Sequence, residues 1–366
     1  MRVPRYNYSQ QFGEEIEYLI SDLRSMLLDG RYILTEEVTR FESHFADFLG
    51  VPCVRGTNTG TDAIAMTLMA LGIGRSDEVI TQANTFNATV SAIRMVGSIP
   101  VLVDAIEASF LMDTTQVPGV VTSRTKALIP VHFCGKPTPM LPLMKITQRS
   151  GIHLVEDAAQ AHGARIGGCR VGTFGNASCF SFHPSKNLAA AGDAGAIATN
   201  DGELAEKIDM IRSLGQRRQN EHILPGGNSK MDALQARILS WKLPHLDEWN
   251  SQRRTVAGWY RERLAGLPLS FQSEDPNEEH VYHLFQVRTD RRDALLQHLL
   301  QSGVDAVVRY PTPIHLQPAF SDCGWRKGQF PVAEKLAQEL LCLPIRPDLS
   351  LSDVEYVADC VRSFFA

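Results

Sequence analysis

Two residues of this chain carry groups that do covalent chemistry together in enzymes, Asp157 and Lys186. Asp157 stands two residues after Val155, the end of a short apolar run, and Lys186 lies downstream in a loop rich in Ser, Pro and Gly. Taken singly, each has an ordinary explanation, a helix-capping aspartate and a solvated lysine. Together they meet the needs of pyridoxal phosphate (PLP), because a carboxylate keeps its pyridine nitrogen protonated and a lysine holds its aldehyde as a Schiff base.

The neighbours of Lys186 favour this interpretation over a surface lysine. The apolar stretch Phe180–Phe182 precedes it, and the small-residue stretch Gly192–Gly195 follows it. These neighbours predict a partly buried loop, in which desolvation lowers the pKa of the amine and makes it nucleophilic. Ser181, in the same stretch, has a hydroxyl that could contact the cofactor phosphate.

Further residues could hold the remaining parts of such a cofactor. Gly60, Thr61 and Asp62 form a Gly/Thr loop that leads into a helix, and backbone N–H groups at a helix start can hold a phosphate. The loop has neither a Walker lysine nor GxGxxG spacing, so nucleotide-phosphate motifs do not fit it. Phe86 follows a predicted strand and could stack on a flat ring, and Gln160 shares a predicted helical turn with Asp157.

The periodicity of the chain predicts an α/β fold. An amphipathic helix is expected from Glu14 to about Leu28, and short apolar strands then alternate with helical patterns. Such alternation favours a mostly parallel sheet covered by helices. A charged linker at 272–279 precedes a second set of strands and helices. We place the domain boundary near Leu246 to Trp259, and we predict a large domain with N-terminal helices over residues 1–250 and a small C-terminal α+β domain over 251–366.

Composition excludes several classes of function. The formal charge of −5 gives no electrostatic reason to expect nucleic acid or an anionic membrane as a partner. No apolar run is long enough to cross a bilayer, and no signal peptide is evident, so we expect a cytoplasmic protein. The seven cysteines are scattered without a CxxC pair, which predicts reduced thiols. His132 and Cys134 alone are weak support for a metal, and we expect none.

The motifs together resemble the DegT/DnrJ/EryC1/StrS sugar aminotransferases, which are PLP enzymes of fold type I, the aspartate aminotransferase class. The resemblance covers nearly the whole chain. Its markers are Gly60-Thr61-Asp62-Ala63, Asp77-Glu78-Val79-Ile80, Thr85-Phe86, Pro130-Val131-His132, Glu156–Gly163, Phe180-Ser181-Phe182, Lys186, Gly227-Asn228-Ser229 with Asp232, and Tyr310-Pro311 with His315.

The resemblance implies a role for each site residue. Lys186 forms the Schiff base, Asp157 pairs with the pyridine nitrogen, and Gln160 approaches the ring hydroxyl. The remaining implied cofactor contacts are Phe86 on the ring, Gly60, Thr61, Asp62 and Ser181 at the phosphate, and Asn228 at the phosphate of the neighbouring subunit. A homodimer with shared active sites follows, with L-glutamate as amino donor and a nucleotide-linked keto sugar as acceptor.

The run from Phe180 to Gly195 most resembles enzymes that aminate carbon 3 of dTDP-linked 3-keto-6-deoxyhexoses. Two positions depart from that pattern: His183 stands where tyrosine is common, and Arg309 where histidine is common. The residues expected to contact the substrate are His183, Arg309, Tyr310 and His315. Amination at carbon 4, of a UDP-linked 3-keto sugar or of a cyclitol ketone stays open, as does a non-catalytic regulator. Dehydratases of the family replace the lysine with histidine, so Lys186 argues against that branch.

Overall fold

The computed structural model describes residues 2–13 and 15–366 of the chain. Its helices α1 to α12 are Ile16–Asp29, Glu36–Leu49, Gly60–Ala70, Asn87–Met95, Val117–Val120, Met140–Ser150, Gly202–Ile211, Ala233–Lys242, Leu246–Arg263, Arg292–Gln301, Pro331–Glu339 and Leu351–Phe365. Its strands β1 to β15 are Cys53–Thr57, Glu78–Gln82, Ile99–Val103, Thr125–Ile129, His153–Asp157, Arg165–Ile166, Cys169–Arg170, Ala177–Ser181, Gly195–Thr199, Gln216–Arg218, Glu221–His222, Ser270–Phe271, Glu278–Glu279, Phe285–Arg288 and Leu340–Leu343.

A seven-stranded sheet forms the centre of the large domain. Its strand order is β1-β9-β8-β5-β4-β2-β3, and neighbouring strands from β8 to β3 pair in parallel. Only β9 runs against its two neighbours, β1 and β8. The strands are short and almost wholly buried, as the continuous apolar runs of the sequence predict for a sheet covered on both faces. The mostly parallel sheet predicted from the sequence is thus confirmed.

The first two helices end where glycine allows a left-handed backbone. Gly30 has φ of +70° and Gly50 has φ of +82°, and each caps the helix before it. The helix predicted from Glu14 is α1; Glu14 itself lies outside the described residues. Helix α2 packs on β8 through aromatic contacts, with the rings of Phe45 and Phe180 edge to face at 5.0 Å. This packing fixes the strand that leads to Lys186.

The C-terminal part of the chain has its own apolar cluster. The antiparallel sheet β12-β14-β15 packs against α9, α10 and α12, with Tyr260, Phe285 and Leu341 among the buried residues. The division predicted at residue 250 falls inside α9, whose later residues Val256 to Tyr260 belong to this cluster. The division therefore stays a prediction.

No helix in residues 2–13 and 15–366 is both long and apolar enough to cross a membrane. All seven cysteines lie in the described residues, and each is a free thiol.

Candidate active site

A cavity of about 480 Å³ opens at the carboxyl edge of the central sheet. Open α/β sheets bind ligands at this edge, because the loops that follow parallel strands converge there. Most of the residues predicted from the sequence line it: Gly60, Thr61, Phe86, Asp157, Gln160, Ser181, His183, Lys186, Arg309 and Tyr310. The site thus combines the end of the sheet with a loop of the C-terminal part.

Asp157 is the last residue of β5 and is almost fully buried. Its carboxylate accepts a hydrogen bond of 2.7 Å from the Thr89 hydroxyl and one of 3.2 Å from the backbone N–H of Ala159. Burial raises the pKa of Asp157, while these donors and the charge of Lys186 oppose the rise. The group is an oriented carboxylate whose negative charge a buried cation would stabilise.

Lys186 lines the same cavity and has an amine of unusual acidity. Burial lowers its pKa to about 8, helped by the positive charge of Arg309 and opposed by Asp157. In the described part of the chain, no carboxylate lies within ion-pair distance of its Nζ atom. The loop that carries Lys186 is held in place at the following residue, because the Asn187 amide donates hydrogen bonds of 2.9 Å to Asn250 Oδ1 and to the carbonyl of Val281. Lys186 and Asp157 therefore line one cavity, and the role of Lys186 as a nucleophile stays a prediction.

The start of α3 forms one wall of the cavity through backbone atoms. Thr59 caps the helix, its hydroxyl accepting a 3.0 Å bond from the N–H of Asp62. Side chains are excluded here: a Cβ at Gly60 would lie 2.7 Å from Ser181 Cβ, and one at Gly195 would lie 2.4 Å from the Thr59 carbonyl carbon. The first N–H groups of a helix have no partner within it, so this bare backbone next to the Ser181 hydroxyl suits a phosphate.

Two aromatic side chains line the same cavity and pack against each other. The rings of Phe86 and Tyr310 lie 5.0 Å apart, and Phe86 is 45% exposed although it stands at a cavity wall. Gln160 is held at both ends, since its Oε1 accepts from the N–H of Cys134 at 2.6 Å and its Nε2 donates to the Tyr310 hydroxyl at 3.3 Å. The half-exposed ring of Phe86 and the polar groups of Gln160 and Tyr310 suit an aromatic ring with a polar substituent.

His183 presents one defined ring nitrogen to its surroundings. Its Nδ1 accepts from the Ser185 hydroxyl at 2.9 Å and from the Ser185 N–H at 3.2 Å. Burial lowers the pKa of His183, and the charge of Lys186 lowers it further, so the ring is neutral with its proton on Nε2. Nε2 is therefore a hydrogen-bond donor at the cavity.

Three predicted site residues lie outside this cavity lining. The Asp62 carboxylate accepts a 2.8 Å bond from the Ser229 hydroxyl and so secures a neighbouring loop. Asn228 is exposed and accepts a bond from Lys230. His315 is buried, with Nε2 at 2.9 Å from the Glu334 carboxylate. Their functional roles stay predictions.

His132 belongs to a structural network. It meets the fully buried Glu156, whose Oε2 lies 3.2 Å from His132 Nε2 and whose two oxygens also accept bonds of 2.8–2.9 Å from the N–H groups of Gly172, Phe174 and Gly175. The other nitrogen of His132 accepts from the N–H of Thr138. Both ring nitrogens are occupied, and no cluster that could hold a metal ion occurs in the described residues.

Sequence reasoning missed some of the lining residues, among them Tyr6, Thr89, Asp193 and His283. A signal for Thr89 was available, because a threonine three residues after Phe86 lies on the same face of a helix that begins there. His283 is buried, and within residues 2–13 and 15–366 its Nδ1 has no hydrogen-bond partner; its pKa lies well below the ordinary value because of burial and nearby positive charges. No local pattern marks it.

The arrangement fits pyridoxal phosphate. The helix start and Ser181 form a cradle that side chains would fill, Asp157 is a carboxylate for the ring nitrogen, and Lys186 is an amine for the aldehyde. These contacts of individual residues remain predictions.

Comparison with known proteins agrees with this geometry. The family model described as "DegT/DnrJ/EryC1/StrS aminotransferase family" matches residues 14–362. The chain belongs to this family. A relative from Streptomyces venezuelae, dTDP-3-amino-3,4,6-trideoxy-alpha-D-glucose transaminase, is 41% identical over 99% of this chain and 96% of its own length. A UDP-N-acetyl-3-dehydro-alpha-D-glucosamine 3-aminotransferase of Acidithiobacillus ferrooxidans is 38% identical over 98% and 97%.

A solved structure gives the same result for the fold. The crystal structure of S. venezuelae DesV, described as a complex with a ketimine intermediate, superposes with a TM-score of 0.96 at 41% identity, covering 99% of this chain and 98% of that one. Membership in the family confirms the predicted fold type, the aminotransferase class and the PLP cofactor. The general class of nucleotide-sugar aminotransferase is confirmed with them.

Proposed function

We propose that this protein transfers an amino group from L-glutamate to carbon 3 of a dTDP-linked 3-keto-6-deoxyhexose. The observation that carries the proposal is the meeting of Asp157 and Lys186 on one cavity, beside a helix start that fits a phosphate. The relative from S. venezuelae, named as a dTDP-amino-sugar transaminase, supports the dTDP-linked acceptor.

The low pKa of Lys186 suits it to move protons. The bound cofactor supplies an electron sink for the charge left when a C–H bond is broken. At pH 7.5 a lysine with a pKa of about 8 is neutral in about a quarter of molecules, against roughly one in a thousand at the ordinary value of 10.5. Lys186 Nζ thus accepts the α-proton of the donor and later returns a proton to the sugar carbon.

Asp157 serves the same step by holding negative charge next to the ring nitrogen. Its two oxygens are fixed by Thr89 and Ala159, so the carboxylate is oriented before any ligand enters. The two hydrogen bonds use one lone pair on each oxygen of Asp157. The remaining lone pairs can accept hydrogen bonds from a ligand in the cavity. Water is kept from this group because it is almost fully buried.

His183 and Arg309 are the proposed substrate contacts that distinguish this chain from the usual pattern. His183 offers Nε2–H to a sugar hydroxyl, while Tyr310 lines the cavity from the C-terminal part of the chain and packs against Phe86. The guanidinium of Arg309 has no hydrogen-bond or carboxylate partner in the part of the chain that the structure describes. An unpaired cation beside Lys186 would attract a carboxylate, and the α-carboxylate of the donor is the natural occupant.

The alternatives differ in acceptor. Amination of a UDP-linked 3-keto sugar has support from the A. ferrooxidans relative, which is named for such a substrate. Amination at carbon 4 or of a cyclitol ketone, and a regulator without turnover, have no specific support in the geometry. The intact pair of Asp157 and Lys186 favours catalysis over a purely regulatory role.

We propose a cytoplasmic homodimer. Large apolar side chains are exposed on α1 and the loop after it, including Tyr18, Leu28 and Tyr32. A second copy is the proposed cover for this surface, because such a patch is costly in water. Asn228, which is exposed and outside its own cavity, would then reach the phosphate of the partner's cofactor.

The experiment is product analysis with purified holoenzyme and L-glutamate. Keto sugars linked to dTDP or UDP, with the ketone at carbon 3 or carbon 4, are supplied in separate reactions, and mass spectrometry records the amino sugar. We expect the dTDP-linked 3-keto sugar to have the highest kcat/KM. If another keto sugar of the panel has a higher kcat/KM, that sugar becomes the proposed substrate. If none of the sugars is aminated, the proposed function is refuted.

Two variants control the experiment. Lys186→Ala should abolish turnover and the visible absorbance of the Schiff base while leaving the fold intact by circular dichroism. Mixing Lys186→Ala with Asn228→Ala tests the shared site, since a mixed dimer regains one site that has both residues. Activity regained on mixing supports the dimer, and its absence contradicts the proposed role of Asn228.

A further inference from the structure

Ser229 is a buried serine whose hydroxyl contacts the start of α3 from a segment distant in sequence. The residue is 2% exposed, and its hydroxyl oxygen accepts a 3.0 Å hydrogen bond from the backbone N–H of Asn58. The same hydroxyl donates a 2.8 Å bond to Asp62 Oδ2. Because Asn58 precedes the N-cap residue Thr59 and Asp62 follows it, one side chain holds the chain on both sides of the helix start.

The segment that carries Ser229 is itself joined to the strand before this helix. The backbone N–H of Ser229 donates a 3.0 Å bond to the carbonyl of Arg212. The Arg212 guanidinium donates to the carbonyl of Gly56 at 2.8 Å and to the Glu42 carboxylate at 2.6 Å. Glu42 in turn accepts a 2.7 Å bond from the N–H of Gly56, which belongs to β1. Ser229 therefore contacts the helix start from a segment that hydrogen bonds hold against β1.

The two sides of the first turn of α3 differ in character. Gly60 and Thr61 line the active-site cavity, where backbone N–H groups suit a phosphate. Asp62 and Ser229 lie outside the cavity lining, and the Asp62 carboxylate is bonded to the Ser229 hydroxyl there. A carboxylate in the first turn stabilises the helix through its dipole. The same carboxylate turned toward the cavity would repel a phosphate, which carries more than one negative charge.

We propose that Ser229 is a positioning residue for the cofactor phosphate, which acts through Asn58 and Asp62. Its acceptor atom fixes the chain that leads into the phosphate-binding turn, and its donor holds the Asp62 carboxylate outside the cavity. The inference rests on the proposed function and deepens it at the cofactor site. Since Ser229 lies outside the cavity lining, its effect should be confined to ligands that carry a phosphate.

The test compares the binding of PLP and of pyridoxal, which lacks the phosphate, to the full-length chain freed of cofactor. The visible absorbance of the Schiff base gives Kd for each aldehyde, and the ratio of the two Kd values reports the contribution of the phosphate. We expect the wild type to bind PLP at least hundredfold more tightly than pyridoxal. Ser229→Ala should reduce this ratio about tenfold, the effect of one lost hydrogen bond to a charged group. An unchanged ratio in folded Ser229→Ala would overturn the proposal.

Ser98→Ala is the matched control for the loss of a buried serine hydroxyl. Ser98 is 1% exposed and donates a 2.8 Å bond to the carbonyl of Gly74, and both residues lie outside the cavity lining. Thermal melting measures the stability cost of each substitution, and Ser98→Ala should keep the wild-type ratio of Kd values. If Ser98→Ala lowers the ratio as much as Ser229→Ala does, a general loss of stability explains both and the proposal fails.

Ser229→Cys keeps the proposal testable where Ser229→Ala does not fold. The substitution nearly preserves the size of the side chain, but a thiol is a weak donor and a weak acceptor. The ratio of Kd values should therefore fall in the same direction as in Ser229→Ala. A wild-type ratio in folded Ser229→Cys would contradict the role of the hydroxyl.

The charge of Asp62 provides a second readout, which a purely structural role of Ser229 would not change. In Ser229→Ala the carboxylate has lost its donor and can turn toward the phosphate, whereas Asp62→Asn removes the negative charge. Asp62→Asn should therefore raise the ratio of Kd values in the Ser229→Ala background, by about threefold. The wild-type background should show no such gain, because there the carboxylate is already held outside the cavity. Equal effects of Asp62→Asn in both backgrounds would overturn the proposed link between Ser229 and Asp62.

The inference and the proposed function fail in different ways, because the binding assay contains neither amino donor nor sugar. A wild-type protein that shows the expected ratio yet aminates no nucleotide-linked keto sugar contradicts the function alone. A protein that aminates such sugars, but whose ratio is insensitive to Ser229→Ala, contradicts the inference alone.

Discussion

Glu156 and Asp157 are consecutive carboxylates on one strand, yet their surroundings differ completely. Side chains alternate across a strand, so one carboxylate faces the loop at 172–175 and the other faces the cavity. Glu156 accepts four hydrogen bonds and is fully satisfied by the protein. Asp157 accepts two and keeps capacity for a ligand. Burial alone therefore does not distinguish the two carboxylates, whereas unfilled acceptor capacity at a cavity does.

The largest expected effect comes from the cavity face. Asp157→Asn removes the negative charge that faces the ring nitrogen, and kcat should fall about 10³-fold, the loss typical of a preorganised electrostatic contact. The melting temperature should change little, since asparagine can still accept from Thr89. Steady-state kinetics and a thermal scan verify both parts. Near-normal kcat would mean that Asp157 has no electrostatic role.

A substitution at Glu156, on the opposite face of the strand, should lower the free energy of unfolding rather than the activity. Glu156→Gln replaces one accepting oxygen by an amide that faces backbone N–H donors. Hydrogen bonds to a charged group contribute about 1.5–3 kcal/mol each, so the free energy of unfolding should fall by about 3 kcal/mol. Denaturant titration measures the fall, and kcat of the folded enzyme should stay within about twofold. A large drop in kcat at unchanged stability would contradict the division between the two faces.

Thr89 tests how far the orientation of Asp157 matters. Thr89→Val keeps the shape but removes the 2.7 Å hydrogen bond, and kcat should fall about tenfold, equivalent to about 1.4 kcal/mol. Thr89→Ser retains the hydroxyl and should recover most of the activity. If Val and Ser behave alike, packing rather than the hydrogen bond explains the effect.

The smallest effect concerns the titration of Asp157 in the cofactor-free protein. Its pKa is raised by burial, and the Thr89 bond counteracts the rise because it stabilises the ionised form. Thr89→Val should therefore move the titration midpoint of Asp157 upward, because the variant loses the bond that stabilises the ionised form. Carboxyl carbon chemical shifts followed by NMR give the midpoint. A downward shift would show that the hydroxyl does not stabilise the carboxylate.

The sequence predicted the meeting of Asp157, Lys186, Phe86 and Gly60, and the structure places all four on one cavity. The reason is topological: each stands near the carboxyl end of a strand or at the helix that follows it, and those ends share one edge of a parallel sheet. Family resemblance supplied the chemical roles, and these stay predictions until variants are measured.

Other parts of the site have no signature in a single sequence. Thr89 and Asp157 are 68 positions apart, so their bond depends on the tertiary fold that brings the first turn of α4 to the end of β5. In the part of the chain that the structure describes, Arg253 and Arg309 have no carboxylate within ion-pair distance. Whether an arginine has such a partner depends on tertiary contacts and not on its neighbours in the sequence. At least seven other arginines form ion pairs with carboxylates that are distant in sequence, as Arg5 does with Asp305.

Gly60 and Gly195, at the cavity wall formed by the start of α3, limit which positions can be changed to alter the accepted sugar. Gly60 and Gly195 admit no side chain, so an abundance-based mutational scan would reject changes there before any assay of turnover. His183 and Arg309 stand on loops with room around them and with few tertiary bonds. A library that varies His183 and keeps Arg309, the proposed contact of the donor carboxylate, would thus explore new acceptors while the cofactor half of the cavity stays constant.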